Sequence, residues 1–151
     1  MIRSRTRVTV CSVLIVLNVA FIWINSLLPR EVSAAFSKLV GQILDLIIPS
    51  QGSVAEGQGN GILRKIAHFT EFCSLGLLLS WLVRMVQSKK WEWIWIPLAA
   101  GAAVACIDEL IQTMIPGRGP GILDVCIDVA GVTLGILLLI LIKPMKKRSQ
   151  K

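Results

Sequence analysis

Four stretches of the chain, 8–28, 62–83, 94–115 and 122–142, each reach the length of about 20 predominantly apolar residues that a helix needs to cross a bilayer core. No other feature constrains the fold as strongly. In hydrocarbon an isolated segment can satisfy its own backbone hydrogen bonds only as a helix, so the runs predict an all-α integral membrane protein with about four transmembrane helices. They take up more than half of the 151 residues. The longest remainder, about 33 residues between the first two runs, is too short to bury a core of its own. The expectation is therefore one transmembrane domain over 1–151.

Charge sets the expected orientation. The net charge of +7 could suggest nucleic acid, but the basic residues sit at helix ends and form no patch interleaved with aromatics. Arg3, Arg5 and Arg7 precede the first run, Arg84, Lys89 and Lys90 separate the second from the third, and Lys143, Lys146, Lys147, Arg148 and Lys151 follow the fourth. By the positive-inside rule all three groups are cytoplasmic, which places both termini inside. Eleven of the 16 basic residues then lie inside, and Glu92 is the one acidic residue of nine on that side. Trp81, Trp91, Trp93 and Trp95 fall at the inner boundary and Trp23 near the outer one, where amphipathic rings anchor. The first run, preceded by basic residues and followed by Val32-Ser33-Ala34, has some features of a cleaved signal. At about 21 residues it exceeds the usual 7–15, and an uncleaved anchor is expected.

Between the first two runs, the segment 31–48 sets Val32, Ala35, Phe36, Leu39, Val40, Ile43 and Ile47 on one helical face. It is too short and polar to span, and is expected as an exterior amphipathic helix at the interface. The Gly- and Ser-rich PSQGSVAEGQGNG after it reads as a loop. The third run carries LAAGAAVA and the fourth carries Gly131 and Gly135, small residues that predict close packing of these two helices. Cys11, Cys73, Cys106 and Cys126 fall one in each run with no C-x-x-C, and read as packing residues.

Against this apolar background one set of polar residues stands out. The second run holds Arg64, Lys65, His68 and Glu71, the third holds Asp108, Glu109 and Gln112, Arg118 lies in the turn, and the fourth opens with Asp124 and Asp128. With the orientation above, all lie in or just beyond the outer half of the membrane. At about 100° per residue, Arg64, His68 and Glu71 share one face within about 60°, and Asp108 and Gln112 one within about 40°. Asp124 and Asp128 share a stripe with Gly131 and Gly135, so the acidic face is expected to point into the bundle. His68 and Glu109 stand at comparable depth and could meet across helices.

A charge at the centre of a spanning helix costs about 2.5–3.5 kcal/mol on insertion scales, so half a dozen at reduced depth represent on the order of 10 kcal/mol. Pairing alone is a weak reason to build such a cluster, because buried ion pairs seldom outdo packed apolar side chains. Acids outnumber bases here, and the excess must be balanced by protons, a metal ion or a cationic ligand group. His68, Glu71, Asp108, Glu109 and Asp124 are the candidates for acid/base chemistry, and Arg64, Lys65, Gln112, Arg118 and Asp128 for ligand binding. One His and no tight ligand motif make a divalent cation the weaker candidate, so no cofactor is expected. No nucleophile elbow and no phosphate-cradling glycine loop is present.

The strings RKIAHFTEF, IDELIQTMIPGRG and ILDVCIDVAGVTLG, and more weakly WINSLLPREVSAAFS, together resemble the VanZ-like family of bacterial membrane proteins over nearly the whole chain. The resemblance implies that Lys65, His68, Glu71, Asp108, Glu109, Gln112, Arg118 and Asp124, with Gly131 and Gly135, are the family's characteristic positions. Asp128 stands where the family commonly has Asn. The family's named member is associated with reduced susceptibility to teicoplanin, a glycopeptide acting on cell-wall precursors. The implied setting is thus the bacterial cytoplasmic membrane, multi-pass, with a cell-envelope role in which the outer polar site acts on a lipid-linked precursor or a lipoglycopeptide. Two other readings compete: a noncatalytic adaptor whose ion-pair network only sets helix geometry, and a small transporter. The second is disfavoured by four helices and by cytoplasmic halves nearly bare of polar residues. The orientation is testable directly: a fluorescent protein that folds only in the cytoplasm should be bright when fused after Lys151, and alkaline phosphatase should be active when inserted near residue 52. The reverse pattern would invert the topology.

Overall fold

The computed structural model describes residues 2–29, 32, 35, 39, 59–87, 89, 91–116 and 121–142. Every regular element among them is an α-helix: α1 (Ile2–Leu27), α2 (Gly59–Val86), α3 (Glu92–Thr113) and α4 (Ile122–Ile142). Each contains a segment long and apolar enough to cross a membrane, namely Arg5–Leu27, Ile62–Val86, Glu92–Thr113 and Ile122–Ile142. The last coincides at both ends with the run read from hydropathy, and the other three differ by a few residues. The interfacial helix expected over 31–48 falls almost wholly outside the described residues, as do Arg118 and the chain beyond 142.

The termini of the helices follow from local chemistry. Met114 and Ile115 donate their amides to Ile111 and Gln112, closing α3 with tight turns. Pro116 then has no N–H to continue the ladder and disfavours helical backbone at Ile115. At the start of α4, Asp124 occupies the first turn, where a carboxylate is favoured by the helix dipole. Arg84 lies in the last turn of α2, the favoured end for a cation. Its Nη1 donates to the carbonyl of Leu139 at 3.3 Å, and its guanidinium stands 5.3 Å from the ring centre of Trp93. These contacts tie α2, α3 and α4 together at the end of the bundle away from the polar cluster.

The core is thin and central: Ile22 of α1, Phe72 and Leu75 of α2, Ala105 of α3, and Val132 and Ile136 of α4. Most other apolar side chains point outward, with Val16 66% and Leu141 75% exposed. A water-soluble protein rarely displays so much continuous apolar surface, whereas lipid covers it at no cost. Cys106 and Cys126 lie on this outer surface, so of the four thiols Cys11 is the one buried as a packing residue.

The helices do not share the contacts equally. The most extensive is between α2 and α4, and α1 lies mainly along α2. Glycine makes the α2–α4 contact possible. A Cβ on Gly131 would stand 2.5 Å from the carbonyl oxygen of Phe69, one on Gly135 would collide with the carbonyl of Cys73, and one on Gly76 with that of Val132. The third and fourth helices do pack against each other, as expected, but Gly131 and Gly135 serve α2. The reason is that α2 supplies a third glycine at the matching height, so backbone meets backbone there, while Gly101 of α3 meets the Val132 side chain. A Val at 135 should lower stability by about 1–3 kcal/mol or prevent folding. Leu141→Ala on the outer surface should stay within about 0.5 kcal/mol. Unfolding midpoints of the two variants in detergent measure the difference.

Candidate functional site

The polar residues gather at the end of the bundle formed by the close of α1 and α3 and the start of α2 and α4. The periodicity of each helix turns them inward. On α3, Asp108 and Gln112 lie one turn apart and are both buried, with Gly101 and Ala105 below them on the same face. On α4 the buried residues are Asp128, Gly131, Val132, Gly135, Ile136 and Leu139, so the close-packed glycine face carries the carboxylate at its polar end.

Asp108 is the deepest member, with no exposed surface. Its Oδ2 accepts a hydrogen bond from Gln112 Nε2 at 2.7 Å, and the same amide reaches Ser26 Oγ on α1 at 3.3 Å. His68 Nδ1 stands 3.9 Å from that Oδ2, beyond hydrogen-bonding distance. Asp128, 4% exposed, is the other buried carboxylate among the described residues. One ligand atom each of His68, Asp108 and Asp128 falls within 4.8 Å of the others. Around this centre, Lys65 Nζ pairs with Asp124 Oδ1 at 2.8 Å, Glu71 Oε1 accepts from Asn25 Nδ2 at 2.9 Å, and Glu109 Oε1 accepts the amide of Gly121. Arg64, Lys65, His68, Gln112, Asp124, Ile127 and Asp128 line a shallow pocket between α2, α3 and α4.

The structure therefore brings Arg64, Lys65, His68, Asp108, Gln112, Asp124 and Asp128 to one centre, and sets Glu71 and Glu109 at its flanks. Arg118 lies outside the described residues. The expected meeting of His68 with Glu109 gives way to His68 with Asp108. These neighbouring acids project about 100° apart on the helix, and it is Asp108 that turns inward while Glu109 turns to the start of α4. Two participants escaped the reading of the sequence: Asn25 and Ser26, which bring α1 to the site. A signal existed. Asn18 and Asn25 are seven residues apart in a largely apolar run, hence on one face, and Asn18 Nδ2 donates to Ser74 Oγ at 2.7 Å one layer further in. Amides inside a spanning helix usually seek partners on a neighbour.

Fold and site define a class: a multi-pass membrane bundle of four helices with a buried polar centre at one end. Within that class the chain belongs to the VanZ/LLP1 family, whose family model matches residues 11–143, nearly the whole chain. Neither a curated protein nor a solved structure matches it.

The contacts differ in how much they carry. The Lys65–Asp124 pair is half open, with side chains 41% and 27% exposed. A double-mutant cycle of Lys65→Gln and Asp124→Asn should give a coupling of at most about 1 kcal/mol. By contrast, Gln112→Leu strips a donor from a fully buried carboxylate and should cost about 1–3 kcal/mol. Equal effects in the unfolding assay would show that burial does not rank these interactions.

Proposed function

We propose that this protein is a cell-envelope factor of the bacterial cytoplasmic membrane whose polar pocket takes the anionic headgroup of a lipid-linked or lipidated compound. The observation that carries the reading is the placement of the pocket. Arg64 and Lys65 sit at a pocket whose other walls are His68, Gln112, Asp124 and Asp128, and the bundle around it is apolar outside. A ligand tethered in the bilayer can leave its chains in lipid while its headgroup meets the pocket at the polar end of the bundle. Arg64, the pocket cation outside the Lys65–Asp124 pair, suits a phosphate or carboxylate.

Charge asymmetry supports an outward opening, because the basic groups of the chain cluster at the opposite end. With that orientation the site faces the compartment where cell-wall precursors and glycopeptides meet. Membership in the VanZ/LLP1 family supports the same setting. Reduced susceptibility to a lipoglycopeptide such as teicoplanin is then the phenotype to seek. His68 and Asp108, with Glu71, Glu109 and Asp124 around them, are the residues through which the pocket would act on what it binds.

A second reading keeps one observation of its own. The cluster ties every helix to another, through Asn25 with Glu71, Ser26 with Gln112, Lys65 with Asp124 and Glu109 with Gly121. A noncatalytic adaptor would need no more than this. The test is the teicoplanin susceptibility of a sensitive Gram-positive host expressing the chain at matched membrane levels. The functional reading expects protection from the wild type, and none from His68→Ala or Arg64→Gln. Under the adaptor reading both variants protect fully, as does a Lys65→Asp/Asp124→Lys swap. No protection from the wild type removes the glycopeptide from the proposal.

A further inference from the structure

The geometry points to a binding site for one divalent first-row transition-metal ion, held by His68, Asp108 and Asp128. The inference stands on the donor geometry and is independent of the envelope reading.

Three observations carry it. Donor atoms held about 2.0–2.6 Å from a common ion stand up to roughly 5 Å apart, and ligand atoms of the three residues lie within 4.8 Å of one another. The 3.9 Å between His68 Nδ1 and Asp108 Oδ2 is too long for a hydrogen bond and suits two donors that share an ion. Second, the two carboxylates have lone pairs to give. Asp108 is fully buried, yet no described residue donates to its Oδ1. Asp128, 4% exposed, receives no hydrogen bond and pairs with no cation among the described residues, although it lines the pocket. A buried carboxylate without a partner is costly.

Third, the charge closes. Two carboxylates and a neutral imidazole carry −2, and a divalent cation makes the centre neutral. Lys65 cannot do the same, since it is engaged with Asp124. Gln112 adds the feature that metal sites use to orient their ligands. Its amide holds Asp108 Oδ2 and is itself seated near Ser26, which fixes the carboxylate that faces His68. The donor set names the class of metal. Calcium and magnesium favour all-oxygen shells, whereas an imidazole with two carboxylates suits zinc, manganese or ferrous iron. Both His68 and Asp128 line the pocket, so the remaining coordination positions would face it.

The test uses the full chain purified in detergent, stripped with a chelator and titrated with Zn2+ alone by calorimetry. One ion per chain is expected, retained in excess Mg2+, with affinity reduced at least about tenfold in each of His68→Ala, Asp108→Asn and Asp128→Asn, since even the orienting partners of metal ligands carry 10–100-fold. Glu92→Gln, at the opposite end, should bind as the wild type does. Zinc-edge X-ray absorption on the wild type needs no variant, and should report a nitrogen and oxygen shell without sulfur. Absence of saturable binding, equal binding by the three variants, or sulfur in the shell from Cys11, Cys73, Cys106 or Cys126 would overturn the site. A wild type that binds zinc but gives no protection in the host assay would fault the envelope reading alone.

Discussion

The close approach of α2 and α4 is the contact on which the rest of this molecule depends. Lipid offers two apolar helices nothing to gain by leaving it, so association has to come from backbones near enough for dispersion and from polar groups with partners. Gly76, Gly131 and Gly135 provide the first, each lying against the backbone of the opposite helix. The second follows from it. Asp128 stands about one turn before Gly131 on the same buried stripe of α4, and His68 immediately precedes Phe69, whose carbonyl Gly131 meets. The glycine contact therefore sets the distance at which the imidazole of α2 and the carboxylate of α4 face each other.

Around that axis the two remaining helices close the centre in different ways. The α3 helix brings Asp108 and Gln112 on its inner face, above Gly101, which leaves room for the side chain of Val132. The α1 helix contributes amide and hydroxyl groups and no charge, through Asn18, Asn25 and Ser26. The resulting centre is acidic, with Arg64 and Lys65 on the pocket beside it. An excess of buried acid is expensive as structure alone and is characteristic of a site that meets something else. That is the common physical ground of the proposed ligand pocket and the proposed metal site, which otherwise stand on separate observations.

Membership of the VanZ/LLP1 family gives this arrangement a context in the membrane, and the geometry adds division of labour within the cluster. Glu109 and Asp124, adjacent in sequence to the central acids or one turn from them, are turned to the start of α4 and to Lys65. Asp108 and Asp128 are the acids left facing His68. A reading that weighs all carboxylates alike misses this difference.

Much of the fold was legible in the residues themselves. Twenty-odd apolar residues in a row have one way to satisfy their backbone in lipid, and this determined four helices and the limits of the spans to within a few residues. Helical periodicity likewise determined which face of each helix carries polar groups, because that depends on spacing within one segment. The resemblance of the strings around His68, Asp108 and Asp124 to one family was legible for the same local reason. What remained open was the azimuth and height of one helix against another. Whether Gly131 and Gly135 serve α2 or α3, whether His68 meets Asp108 or Glu109, and whether Asn25 reaches Glu71 are matters of rigid-body placement. A rotation of about 100° exchanges one neighbour for the next without altering the hydropathy of any helix. Only the tertiary structure decides among such rotations, because the energy that selects them lies in contacts between helices.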